Sequence, residues 1–228
     1  MDHVPYLFAE SVARLFDISS LYSLSKSRSR LFGKVGRSLD EKRLSVTFYV
    51  VYNPAAGTFE YCLTSRRNSI YIGPATPFTY DPADHRFVFF FEVNLLEDKR
   101  SLGNVEQTWT TATKSDPTFL KMLRTPFART ELRLNVNCPE LLKLLPDYCN
   151  FNWISGAFNH SEILDAIIER SQACGQLEYF DCKQFFQKRG MEASTDWIST
   201  NKRLRWISGI CITNAASVRS ALNRLGVQ

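Results

Sequence analysis

Two periods of hydrophobic spacing divide the chain. Over its first forty residues Leu7, Phe8, Val12, Leu15 and Phe16 fall on one stripe of a 3.6-residue repeat, which predicts a helix. Pro5 suits the first turn, where a missing N–H costs nothing. Asp17, Ser19 and Ser20 stop that helix and cap a second, which carries Leu21, Leu24 and Leu31 and ends at Gly33 or Gly36. From Leu44 the period becomes two. Leu44, Val46, Phe48, Val50 and Tyr52 alternate with Ser45, Thr47, Tyr49 and Val51, the pattern of a strand with one buried face.

Asn53-Pro54-Ala55-Ala56-Gly57 then reads as a turn, with residues 58–63 returning as the hairpin partner. A short strand over 69–72 closes at Gly73-Pro74. The strongest strand covers 86–95, with Phe87, Phe89, Phe91, Val93 and Leu95 as its inward row. These strands predict an antiparallel meander. The polar stretch 97–130 gives a short strand at 107–113 and a short helix at 117–124.

The last hundred residues alternate strands (132–136, 150–154, 177–180, 204–212) with helices (139–145, 159–174, 182–188, 215–225). Asn159 and Glu162 make a capping pair, and Gly175 and Gly190 end helices. Strand starts lie about 20 to 30 residues apart, the range of strand–helix repeats; an ordinary small α/β layer gives the same alternation. The expected fold is α+β: a helical module over 1–43 and a mixed domain over 44–228. The latter holds an antiparallel sheet (44–97) and a strand–helix layer (131–228).

Composition sharpens this picture in two places. Aromatic residues reach 13%, with 17 Phe, which favours β-structure around a heavily packed interior. The net charge of +5 is unevenly spread: residues 26–43 and 198–228 each carry +5, leaving −5 for the rest. Two basic ends around an acidic middle can meet nucleic acid or an acidic partner; a solvated basic face accounts for the same charges. Glu10 and Arg14 break the apolar start and no small-residue cleavage site follows, so no secretory signal is expected. No apolar run is long enough to span a bilayer. Six scattered cysteines without a CxxC pair then read as reduced thiols of a cytoplasmic or nuclear protein.

The opening segment can be compared with a known motif. Val4-Pro5, Val12, Leu15, Ile18, Leu21, Leu24-Ser25 and the basic stretch to Phe32 resemble an F-box, which typically begins Leu-Pro and spaces Ile/Leu positions over three helices. Val4 stands where the motif usually has Leu, and Phe32 where it often has Trp. The order of an F-box-like segment before a mixed β and strand–helix region also resembles the nematode-expanded F-box-associated families. The resemblance implies docking onto a Skp-type adaptor of a cullin–RING ubiquitin ligase through Pro5, Leu7, Val12, Leu15, Ile18, Leu21 and Leu24. Apolar anchors would leave water while basic neighbours orient an acidic partner. The same residues could instead pack on the protein's own sheet.

No constellation for catalysis emerges. His160, Glu162, Asp165 and Glu169 lack the second histidine of an HExxH site, and Gly33-Lys34-Val35-Gly36 lacks the phosphate-loop form. The chain therefore reads as a non-enzymatic interaction protein without cofactor or metal, its protein target unidentified. Trp153, Trp197 and Trp206 are candidate anchors for that target; core positions suit them equally. Two alternatives stand beside this reading: a basic nucleic-acid-binding domain, with Arg66-Arg67 and Lys202-Arg203-Leu204-Arg205-Trp206, and a freestanding cytosolic effector or toxin-like protein.

Overall fold

The computed structural model describes residues 5–13, 23–42, 44–67, 76–79, 88–102, 108–125, 129–136, 138–145, 151–156 and 162–228. The fold is α+β, with helices at the N-terminal end and a mixed sheet. The helices are α1 (Tyr6–Ala13), α2 (Arg30–Lys42), α3 (Pro117–Arg124), α4 (Pro139–Leu142), α5 (Glu162–Ala173), α6 (Lys183–Thr200) and α7 (Ala215–Arg224). The strands are β1 (Leu44–Asn53), β2 (Thr58–Arg67), β3 (Thr76–Pro77), β4 (Val88–Leu96), β5 (Thr110–Ala112), β6 (Arg129–Leu134), β7 (Trp153–Gly156), β8 (Tyr179–Asp181), β9 (Trp206–Ile207) and β10 (Ile210–Cys211). Their order is β10-β9-β8-β7-β6-β4-β1-β2-β3, with β5 also on β2. Two compact units divide the chain: Met1–Thr47 with Leu63–Phe91, and Phe48–Cys62 with Glu92–Gln228.

In the first unit α1 and α2 make their own small core. Ala9 and Ala13, one turn apart on α1, meet Val35 and Leu39, one turn apart on α2, with Leu24, Leu31 and Phe32 partly buried around them. Small alanines let the helices approach closely, so the buried face of α1 is its alanine side. The larger residues that open its helical stripe point elsewhere: Leu7 is 74% exposed and Phe8 59%. Helix α2 also departs from expectation by running through Gly33 and Gly36. Both glycines serve close approach: a Cβ on Gly36 would stand 2.6 Å from the Ser25 backbone nitrogen, and one on Gly33 2.9 Å from the Ser27 carbonyl oxygen. The turn before α2 therefore lies directly on the helix, and only a residue without a side chain fits beneath it. The strand expected at 69–72 and the Asn159 cap lie outside the described residues.

In the second unit Phe48, Phe59 and Tyr61 pack around Phe119 of α3, with ring centroids 5.7, 5.1 and 5.4 Å from it. Helix α3 is fixed there by Asp116, whose carboxylate accepts from the Thr118 and Phe119 N–H groups at 2.8 and 3.0 Å. Strands β6, β7, β8 and β9 are parallel neighbours in sequence order. Leu132, Ile154, Phe180 and Ile207 share one register position and are all fully buried. Intervals of 22, 26 and 27 residues separate them. Asn152 stitches the starts of three strands. It exchanges bonds with Thr130, its side chain donates to the Gln176 carbonyl, and its own carbonyl accepts from Glu178 and Tyr179.

Helix α6 continues past the stop expected at Gly190. That glycine (φ 77°, ψ 175°) breaks the helix, but a second helical stretch resumes to Thr200. Its Trp197 packs among Phe180, Phe185 and Phe186, with centroids 5.3, 5.0 and 5.9 Å away. Trp197, expected as a candidate anchor, is half-buried against this ring cluster. The apolar period of the preceding stretch ends at Gly190, which hides the resumed helix from a sequence reading.

Candidate binding face on the parallel strands

Alternation sends odd and even positions of a strand to opposite sides. Since Leu132, Ile154, Phe180 and Ile207 are buried on one side of β6–β9, their predecessors line the other. Register places Glu131, Trp153, Tyr179 and Trp206 in one row across the four strands. A second row, two residues on, holds Arg133, Ser155 and Asp181. Trp153 and Trp206 are 36% and 43% exposed, unusual for tryptophans on central strands. Trp153 stacks on Tyr179, with centroids 3.9 Å apart and planes within 23°.

Beside these rings lies a charged network. The Arg133 guanidinium donates to Glu131 Oε1 from Nη2 at 2.8 Å and from Nε at 3.2 Å, and its Nη1 stands 3.4 Å from Glu92 Oε1. Asn94 Nδ2 donates to Glu92 Oε1 at 2.9 Å, and Asn135 Nδ2 to Asn94 Oδ1 at 3.1 Å. The pairs 92–133 and 94–135 keep the same offset, so β4 runs in the direction of β6. The network extends to Ser155, which hydrogen-bonds Glu131, while the Tyr179 hydroxyl donates to Asp181 Oδ2 at 3.4 Å.

Burial dominates the electrostatics. Glu131 is 3% exposed. Burial, with the neighbouring Glu92 carboxylate, pushes its carboxyl up to about 7 against the pull of Arg133. Burial lowers Arg133, but Glu92 and Glu131 more than restore it, and the guanidinium stays firmly protonated. Burial first, then Asp181, raises the Tyr179 phenol. The arrangement holds aromatic surface beside a network of carboxylates, a setting suited to binding. Elsewhere Cys182 is likewise pushed up to about 12 by burial; it caps α6 by accepting from the Phe185 N–H at 3.4 Å. Cys62, Cys138, Cys174, Cys182 and Cys211 are free thiols.

The residues singled out from the sequence separate in space. Pro5 and Leu7 are exposed, Val12 is half-buried, and Leu24 belongs to the α1–α2 core. Leu15, Ile18 and Leu21 lie outside the described residues, as does His160. Of the tryptophans, Trp153 and Trp206 share the open row and Trp197 does not. Sequence reasoning missed Glu92, Asn94, Glu131, Arg133, Tyr179 and Asp181. The available signal was a carboxylate and an amide inside the most apolar strand, and charged residues alternating with Leu132 and Leu134. Among the described residues no group of acids, histidines and cysteines could hold a metal ion, and no helix is long and apolar enough to cross a membrane. No protein-family model, curated protein or solved structure matches this chain.

Proposed function

We propose that this chain is a non-enzymatic interaction protein of the cytoplasm or nucleus, an F-box-like adaptor that recruits a protein target to a cullin–RING ubiquitin ligase. Its N-terminal helices engage a Skp-type adaptor, and the open face of β6–β9 receives the target. The observation that carries this reading is the orientation of α1. Its alanine side is used up on α2, while Leu7 and Phe8 stand in solvent, and an exposed apolar ridge of that kind favours a partner. Arg30, Lys34 and Arg37, exposed along α2 at helical spacing, supply cations for an acidic partner.

The test is co-expression with a Skp-type adaptor and affinity retention of the pair. Leu7→Asp and Phe8→Asp, at positions outside the core, should abolish retention while leaving the circular dichroism spectrum unchanged. Equal retention of wild type and both variants, or none by the wild type, would overturn the docking reading. The same basic stripe favours a second reading, binding to nucleic acid. Its mark would be retention on RNA that fades steeply between low and physiological salt.

A further inference from the structure

We propose that the open face of β6–β9 recognises a lysine or arginine side chain on an extended segment of its target, seated against Trp153, Tyr179 and Trp206 beside Asp181. This rests on the proposed function and deepens it by naming the chemistry of the target.

Three observations lead to it. The row Trp153–Tyr179–Trp206 lies on adjacent parallel strands, which stand about 4.8 Å apart, so the three aromatic side chains start side by side, with Trp153 stacked on Tyr179. Aromatic faces carry negative quadrupole potential and attract cations, and Trp does so most strongly. The second observation is charge. Arg133 bridges Glu92 and Glu131, whereas the Asp181 carboxylate, in the same row as Arg133 but two strands away, takes the Tyr179 hydroxyl as its partner. Its negative charge therefore stands beside the rings, apart from that guanidinium.

The third observation is the fixity of the site. Trp153 and Tyr179 brace each other at 3.9 Å, Tyr179 bonds Asp181, and Glu131 is clamped by two bonds from Arg133. Little side-chain freedom is left to lose when a guest arrives. An acidic guest would meet like charge, and an aliphatic one would strip water from carboxylates without replacing it. A cation on a long apolar stem satisfies both halves of the surface, its methylenes along the rings and its charge toward Asp181.

The test uses the full chain immobilised against a random dodecapeptide library, followed by calorimetry of selected peptides. Selected sequences should share a Lys or Arg anchor. Replacing that anchor with Gln, or introducing Asp181→Asn or Trp206→Ala, should weaken binding about tenfold, within the range of a cation–π or charge contact. Affinity should also fall as salt rises. Trp206 is exposed and Asp181 lies at a strand end, so both variants are expected to fold, and circular dichroism checks this. An acidic or neutral consensus, no selected peptide, an anchor insensitive to both variants, or Trp206-dependent binding of a neutral oligosaccharide in its place would overturn the proposal. Retention of the Skp-type adaptor reads α1 and not this face, so the two ideas fail separately.

Discussion

Burying Glu131 beside Glu92 ties stability to pH in a direction opposite to most carboxylates. Its carboxyl titrates at about 7 in the folded chain against an ordinary value of 4.5. The folded state therefore holds a proton that the unfolded state has released anywhere between those two values. Stability from this group is fully present below pH 4.5, declines as pH rises, and is gone above about 7. A difference of two to three pH units corresponds to about 3 kcal/mol, each unit being worth roughly 1.4. Because other groups titrate over the same range, the comparison must be differential. Glu131→Gln keeps the shape and an acceptor for Arg133 but carries no proton to lose. Urea unfolding of wild type and variant at half-unit steps from pH 4.5 to 7.5 should show the wild type losing about 3 kcal/mol relative to Glu131→Gln. A difference that stays flat across that window refutes the reasoning, since burial would then not be setting the carboxyl's protonation.

Other outcomes follow from packing. Gly36→Ala would drive its methyl into the Ser25 backbone, which stands 2.6 Å away; a loss of about 2 kcal/mol or more in thermal or urea unfolding is expected. Gly156→Ala is more severe: the residue has φ 137°, and its Cβ would fall on the Leu134 carbonyl oxygen. The β6–β7 pairing cannot yield there without breaking, and soluble yield on expression should collapse. Phe180→Ala empties the centre of the ring cluster around Trp197 and should cost about 3 to 5 kcal/mol, read by chemical denaturation. Trp206→Ala, at a position 43% exposed, should cost less, about 1 to 2 kcal/mol, so the pair separates an interior aromatic from a presented one.

Elements with a clear period were legible in the chain. The alternation of Leu44, Val46, Phe48 and Val50 gives β1, and the helices expected over 117–124 and 215–225 stand as α3 and α7. What the pattern could not give was partnership. Gly33 and Gly36 look like helix stops by propensity, yet they sit inside α2 because another stretch of backbone presses on them. The stripe of Leu7 and Phe8 could be read as docking face or core, yet two alanines do the packing on α2. The candidate face was legible only in its tryptophans. Glu92 and Arg133 are 41 residues apart and meet through strand pairing alone, a relation that composition and spacing do not encode.

The last hairpin has a consequence for how this molecule survives at high concentration. Ser208 and Gly209, both at positive φ (48° and 75°), turn the chain back so that Ile210 and Cys211 cover Ile207 and Trp206. A parallel array would otherwise end in a row of bare amides and carbonyls, an invitation for another molecule to add its own strand. The bend moves that row outward onto β10, an edge only two residues long, and so short an edge offers an incoming strand little to pair with.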